Sequence, residues 1–163
     1  MRLSSLTDYA VVLLSAATRR SGDVGGGLAR QNATVLAEET GVPLPTAQKL
    51  VSKLAAAGLI DSARGTGGGI RLSRPPVSIT LADIVEAVEG PIAMTACVEH
   101  GAQDCGLDHQ CSVKPHWPVV NAAVRGALAG VSLAQLAGRP DFPSVRASTG
   151  SARMDPLLSE VSL

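Results

Sequence analysis

The sequence predicts a mainly α-helical fold with one small β-hairpin. Apolar residues recur at three- and four-residue spacing in several segments, which is the period of amphipathic helices. Two short strand-like segments flank a glycine-rich turn near the middle of the chain. Hydrophobic residues make up 45% of the 163 residues but aromatic residues only 2%, so small and branched aliphatic side chains must build the core. A chain of this length can form one domain and a tail.

Two helices are predicted first. An apolar stripe at helical spacing covers residues 5–19. After a glycine-rich stretch, Asn32 or Thr34 can cap a short second helix that continues through Glu39, and Gly41 ends it.

A third helix and a hairpin follow. Residues 45–57 carry an apolar stripe opposite a polar face, and Gly58 stops this helix. The segments LIDSAR and IRLS flank the turn GTGGG and predict two short strands. Three helices followed by a hairpin is the order of a winged helix-turn-helix domain, in which residues 45–57 would be the recognition helix.

The second half of the chain combines helices with a cysteine-bearing loop. Thr80 caps a predicted helix LADIVEAVEG that Gly90 ends. Residues 91–114 have no sustained period and contain all three cysteines. Helical spacing resumes over residues 115–130, and SLAQLAG adds one more turn.

Four parts are therefore expected. They are a winged helix-turn-helix DNA-binding domain (1–90), a cysteine loop (91–114), a helical region (115–137) and a disordered tail rich in Ser, Pro and Arg (138–163).

Charge is distributed unevenly along the chain. The formal net charge is zero, yet the first 74 residues hold nine Lys and Arg against five acidic residues, a net charge of +4. The remaining residues hold five against nine, a net charge of −4. The basic first half suggests a polyanionic partner for that part of the chain.

The predicted recognition helix carries side chains that suit DNA. Thr46, Gln48 and Lys49 lie on its early turns, which usually meet the base edges in the major groove. Lys49 and Lys53 are four residues apart on one face and suit phosphate contacts. Taken alone, this pattern would equally fit a solvated polar face.

The glycine-rich turn of the hairpin supports the DNA-binding interpretation. Arg64 and Thr66 lie in or beside a turn whose missing side chains allow close approach to a DNA backbone or minor groove. A nucleotide-binding loop does not fit, because IRLS follows instead of a helix and no Lys-Ser/Thr pair is present. A flexible hairpin turn without a partner is the plainer alternative.

Cys97, Cys105 and Cys111 have C-x7-C-x5-C spacing in the predicted loop. Three thiolates on one loop can converge on an iron–sulfur cluster or on zinc. The C-x2-C pairs typical of structural zinc are absent from the sequence. Unconnected cysteines, and a cluster-free regulator that senses oxidants by its thiols or holds zinc, remain alternatives.

Other features bound the function class. No apolar run approaches the roughly 20 residues of a membrane span, and the N-terminus indicates a folded helix instead of a signal peptide. An odd number of cysteines favours a metal or redox site in a reducing compartment. We therefore expect a cytoplasmic protein, not an enzyme, with no membrane partner and no small-molecule substrate.

Four motifs occur in an order that resembles a known family. They are MRLSSLTDYAVVLL, ARGTGGGIRLSR, ITLADIVEAVEG and the cysteine loop ending in CSVKPHW. Together they are similar to the Rrf-type winged-helix iron–sulfur transcription regulators (the IscR, NsrR and RirA family) over about residues 1–137, and most of all to the regulators of SUF iron–sulfur assembly genes. The resemblance implies a two-iron or four-iron cluster, a double-stranded DNA operator, and a homodimer paired through residues 115–137.

The resemblance also implies roles for single residues. It assigns the ligand role to the three cysteines and a wing contact to Arg64. The histidine ligand of IscR falls at Lys114 in this chain, two residues before His116. NsrR-like members can use an aspartate from the first helix of the partner subunit, and Asp8 occupies the matching place. We therefore favour Asp8 of the partner subunit over His116 as the fourth ligand.

Overall fold

The computed structural model describes residues 3–23, 30–63, 65, 68–95 and 111–138. The helices are α1 (Ser5–Asp23), α2 (Ala33–Thr40), α3 (Leu44–Ala56), α4 (Leu81–Glu89), α5 (Trp117–Ala129) and α6 (Leu133–Ala137), with short 3₁₀ turns at Pro76–Ser78 and Lys114–His116. Strands β1 (Ile60–Ala63) and β2 (Gly69–Leu72) form an antiparallel hairpin in which Ile60 is opposite Leu72. The predicted mainly helical fold with one hairpin is confirmed.

The predicted ends of α2 are confirmed. The Asn32 side-chain oxygen accepts a hydrogen bond of 2.8 Å from the backbone N–H of Thr34, which satisfies one free donor of the first turn. Gly41 ends the helix with a φ of 71°, a left-handed conformation that favours glycine. Val42 is buried immediately afterwards, so the turn into α3 is fixed by a cap on one side and by the core on the other.

Helices α1, α2, α3 and α6 and the hairpin share one aliphatic core, in agreement with the low aromatic content. Its fully buried large side chains include Leu14, Leu36, Leu50, Leu54, Leu72, Ile79, Ile84 and Leu133. Helix α6 returns to this core, since the backbone N–H of Leu133 donates to the Ile79 carbonyl at 2.7 Å. The predicted extra turn after α5 is therefore a separate short helix that packs against α1.

Helix α4 lies between two apolar clusters. Thr80 and Asp83 form a capping box at its start, which confirms the predicted cap. Ile84 and Val88 pack into the main core. The other side of the helix packs against α5 in a second cluster, whose members are Ala82, Val85, Ile92, Leu81, Val124, Leu128 and Ala129. Helix α4 thus joins the helix-turn-helix region to α5.

Two boundaries differ from the sequence prediction. Helix α1 ends at Asp23 instead of residue 19, and near this end Ser21 Oγ donates back to the Ala17 carbonyl at 2.9 Å. The helix expected from residue 115 begins as a 3₁₀ turn that contains Pro115, and α5 proper starts at Trp117. The proposed tail after residue 138 lies outside the described residues.

Candidate nucleic-acid interface and metal centre

Helix α3 places the predicted DNA-contacting side chains on its outer face. Its buried residues are Ala47, Leu50 and Leu54. Gln48 and Lys49 are exposed and Thr46 is half-buried. Lys49 makes no ion pair with the described residues, so its ammonium is available to a phosphate. This arrangement is compatible with the predicted base and phosphate contacts.

Lys53 differs from the other predicted contacts. Its side chain is half-buried, and Nζ donates a 2.7 Å hydrogen bond to the backbone carbonyl of Val88, in the last turn of α4. A cation at a helix C-terminus satisfies a free carbonyl and interacts well with the helix dipole. The ammonium therefore has a structural partner, and the phosphate contact of Lys53 stays a prediction that competes with this bond.

The hairpin is anchored to the core by a third extended segment. Gln31 pairs with Ile70 through two backbone hydrogen bonds of 2.8 Å. The Gln31 side chain also donates from Nε2 to the Ala17 carbonyl at 2.6 Å and to Ser21 Oγ at 3.0 Å. The wing is thereby tied to the last turns of α1. Arg64 and Thr66, the predicted wing contacts, lie outside the described residues.

A close approach of backbones fixes the start of β2. Gly69 has a φ of 136°, and a Cβ at this position would lie 2.7 Å from the Gln31 carbonyl oxygen. A side chain would therefore push β2 away from Gln31. The sequence placed Gly69 in the glycine turn but did not indicate its approach to Gln31, because this contact joins distant parts of the chain.

A cleft of about 360 Å³ lies between α3 and the hairpin. Asn32, Ser52, Ser62 and Gly69 are among its lining residues. Beside it, the exposed Arg30 donates from Nη1 to the Gly69 carbonyl at 3.3 Å. Sequence reasoning missed Arg30, whose placement on the wing side depends on the pairing of the neighbouring Gln31 with Ile70.

The described ends of the cysteine loop are both held near α5. At the first end, Asn121 of α5 donates from Nδ2 to the Ile92 carbonyl at 2.8 Å and accepts from the Met94 N–H at 3.1 Å. At the second end, the half-buried Cys111 comes just before the 3₁₀ turn that leads into α5. Cys97 and Cys105 lie outside the described residues.

Asp8 lies in the first turn of α1, and a residue from α4 fastens that turn. Glu89 accepts hydrogen bonds from the Thr7 hydroxyl and from the Ser4 backbone N–H, the latter at 2.8 Å. These hydrogen bonds hold the pKa of the Glu89 carboxyl below its ordinary value of 4.5, and the bond from Thr7 has the largest effect. Asp8 itself is exposed and forms no ion pair with the described residues.

The donor set fits an iron–sulfur cluster. Such clusters are held by cysteine thiolates, and Cys111 is the one of the three cysteines that lies within the described residues. Cys111 forms no disulfide in the described part of the chain. There, no group of three Cys, His, Asp or Glu side chains of one chain is placed to hold a metal ion, and His116 is exposed.

Helix α5 leaves one apolar face uncovered. None of its residues is buried in the single chain, and Val119 is 73% exposed. Apart from Arg125, the exposed residues of this helix are small or apolar: Pro118, Val119, Val120, Ala122, Ala123, Gly126 and Ala127. No helix in the described ranges is both long and apolar enough to cross a membrane.

Three comparisons with known proteins agree with the fold. A family model described as Rrf2, an iron-dependent transcriptional regulator, matches residues 3–139. The chain is 31% identical over 163 residues to the HTH-type transcriptional regulator IscR of Photobacterium profundum, covering 100% of this chain and 88% of that protein. It is 38% identical over 128 residues to Protein aau3 of Rhizobium meliloti (strain 1021), covering 78% and 75%. The structure of CymR (YrzC), the global cysteine regulator of B. subtilis, matches with a TM-score of 0.61 at 25% identity, covering 84% of this chain and 96% of that one.

The helix-turn-helix, the wing and these similarities define a winged-helix DNA-binding transcription regulator, a class of protein that is not an enzyme. Within that class, the chain belongs to the Rrf2 family of iron-dependent transcriptional regulators. The family resemblance found in the sequence motifs is confirmed.

Proposed function

We propose that the chain is a cytoplasmic, homodimeric regulator whose affinity for operator DNA depends on an iron–sulfur cluster held by Cys97, Cys105 and Cys111. The observation that carries this proposal is the position of the cysteine loop. The loop begins directly after the last turn of α4 and ends where α5 begins. That last turn of α4 also contacts α3. The match to a family of iron-dependent regulators supports an iron-containing bound group. The resemblance of the sequence motifs makes SUF iron–sulfur assembly genes the proposed targets.

The DNA contacts are proposed for α3 and the wing. Thr46, Gln48 and Lys49 would meet base edges and phosphates in the major groove, because they lie on the outer face of α3. Arg64 and Thr66 would contact the minor groove or the backbone from the wing. We add Arg30 to this set, since the Gln31–Ile70 pairing places it beside the hairpin.

The dimer is proposed to form through α5. Its exposed face of small and apolar residues is unusual for a helix that meets only water, and a second copy of the same face would cover it. A two-fold dimer would present two recognition helices to two half-sites about one helical turn apart. The same pairing would bring Asp8 of the partner subunit towards the cysteine loop as fourth ligand, in preference to His116.

The mechanism follows from how the loop is held. When bound, an iron–sulfur cluster would cross-link the three thiolates in a manner that oxidants or iron shortage can undo. Asn121 holds the start of the loop on α5, directly after α4, so a change in the order of the loop would act on the contact between α4 and α5. Because α3 contacts α4, the position of α4 sets the placement of the recognition helices.

Anaerobic purification tests the cluster. The wild-type protein should be brown, with iron and acid-labile sulfide in comparable amounts and visible absorbance that Cys97→Ala abolishes. Ser112→Ala is the matched control, because Ser112 is an exposed neighbour of Cys111 that the proposal does not use. A colourless wild-type protein without iron, even after anaerobic reconstitution, would contradict the cluster.

A second candidate is a cluster-free regulator that senses oxidants through its thiols or holds zinc. The observation that favours this second candidate is the structural similarity to CymR, the global cysteine regulator of B. subtilis. In that case the purified protein would be colourless. Its DNA binding would change with peroxide and reverse with a dithiol reductant if thiols are the sensor, or follow zinc content if zinc is held.

A further inference from the structure

The last turn of α4 contacts two other elements of the DNA-binding region. The Val88 carbonyl accepts from Lys53 Nζ of α3 at 2.7 Å. The adjacent Glu89 carboxylate accepts from Ser4 and Thr7 at the start of α1. The chain then turns at Gly90, which has a φ of 96°, and enters the cysteine loop. One helical turn therefore joins the loop to the recognition helix.

Lys53 is half-buried and directed towards α4, whereas Lys49, one turn earlier, is exposed. Helix α3 carries these two lysines, so it provides an internal comparison between a lysine free to meet phosphate and one held by the protein. The last carbonyls of a helix have no partner within the helix. If the Lys53 ammonium moved to a phosphate, the Val88 carbonyl would therefore lose its donor.

We propose that Lys53 is a positioning residue that couples the cysteine loop to the recognition helix, and that it does not contact DNA. This inference rests on the proposed function, because it assumes that the state of the loop alters DNA affinity. A change in the loop that shifts the last turn of α4 moves the Val88 carbonyl, and the Lys53 bond carries that shift to α3. The Glu89 contacts transmit the same shift to the turn that bears Asp8.

The test compares Lys53→Met with Lys49→Met, two substitutions that remove a positive charge from the same helix. The probe is a DNA duplex selected from a random-sequence library with the wild-type protein. Affinity is measured for the cluster-loaded and the cluster-free forms at several salt concentrations. The slope of log K against log salt is negative, and losing one phosphate contact makes it less steep by about 0.9.

For Lys53→Met, we expect an unchanged salt slope and a ratio of loaded to cluster-free affinity that shrinks by about two- to thirtyfold. For Lys49→Met, we expect a less steep salt slope and an unchanged affinity ratio. Lys53→Gln, which keeps a hydrogen-bond donor but no charge, should also keep the wild-type slope, and it serves as the test if the methionine variant does not fold.

Three results would overturn the inference, and each has a different meaning. A less steep salt slope for both Lys53 variants would make this residue a phosphate contact. An unchanged affinity ratio with a lower melting temperature would make it only a cap of α4. A wild-type protein whose DNA affinity is the same with and without the cluster would instead remove the proposed function on which the inference depends.

Discussion

Gly69 shows how a single residue controls the wing. Its φ of 136° and the 2.7 Å that would separate an added Cβ from the Gln31 carbonyl oxygen leave no room for a side chain. Gly69→Ala should lower the free energy of unfolding by about 2–4 kcal/mol. This loss is the sum of the cost of a positive φ for alanine and the cost of the clash with Gln31. The substitution should also weaken DNA binding, since the wing is displaced. Chemical denaturation and a DNA titration measure the two effects.

Gly58→Ala is the matched control for this variant. Gly58 has a φ of 71° but no heavy atom within 4 Å of an added Cβ, so only the backbone cost of about 1–2 kcal/mol applies. The two variants would lose equal stability if contact with Gln31 were unimportant, which would contradict the role assigned to Gly69.

The Glu89 carboxylate gives the stability of the cluster-free protein a defined pH dependence. Hydrogen bonds from Thr7 and Ser4 lower its folded-state pKa below 4.5, so its contribution is complete above that pH and disappears as the pH falls through the folded-state pKa. Glu89→Gln should therefore lower the melting temperature at neutral pH, and the difference from wild type should shrink below pH 4.5. A difference that stays constant down to about pH 3, well below the ordinary carboxyl pKa, would show that the charged form is not preferred.

At the scale of elements, α5 holds the beginning of the cysteine loop through one side chain. Asn121→Ala removes both hydrogen bonds to the loop backbone and should lower the free energy of unfolding by about 1–3 kcal/mol. The bound cluster should also be lost faster in air, because its loop is less firmly held. Denaturation and the decay of visible absorbance measure these effects.

Arg125→Ala provides the control on the same helix. Arg125 donates to the Glu86 carboxylate at 2.8 Å and 3.0 Å, but this ion pair lies on the surface, where solvent screens it, and it should contribute little to stability. If the two variants lost the cluster equally fast, Asn121 would have no special role in holding the loop.

The elements themselves could largely be predicted from the sequence because their signals are local. Asn32, Gly41 and Thr80 begin or end helices through contacts with residues at most a few positions away. Apolar spacing located α3, and the glycine turn located the hairpin. The predicted end of α1 was wrong. The Gly and Ser residues that indicated this end are compatible with one more helical turn, because the Ser21 hydroxyl bonds to the Ala17 carbonyl.

The contacts that connect the elements could not be predicted in this way. Lys53 with Val88, Glu89 with Thr7 and Asn121 with Ile92 join residues far apart in the chain, and none has a sequence pattern of its own. Lys53 illustrates the consequence. Its spacing from Lys49 indicates a shared polar face, whereas packing against α4 turns it to a protein partner.

For the whole molecule, the central geometric prediction is a dimer through α5. Val119→Glu should convert the dimer into a monomer, because it places a charge on the exposed apolar face, and a charge buried in an interface is costly. The mass in solution from analytical ultracentrifugation measures the effect, and operator affinity should fall with it.

Val77→Glu is the control for exposure. Val77 and Val119 are 70% and 73% exposed in the single chain, but Val77 lies on the 3₁₀ turn before α4 and not on α5. Val77→Glu should remain dimeric. A Val119→Glu protein with the wild-type mass would place the dimer interface elsewhere.

The most direct test of cluster-dependent regulation is the affinity of the wild-type protein for one selected DNA duplex, measured anaerobically with the cluster loaded and again after its removal. Coupling between two sites in a protein typically changes affinity by about 5- to 150-fold, and we predict a ratio within this range. Equal affinities of the two forms, with the cluster content verified by iron and sulfide analysis, would contradict the claim that this winged-helix protein senses its cluster.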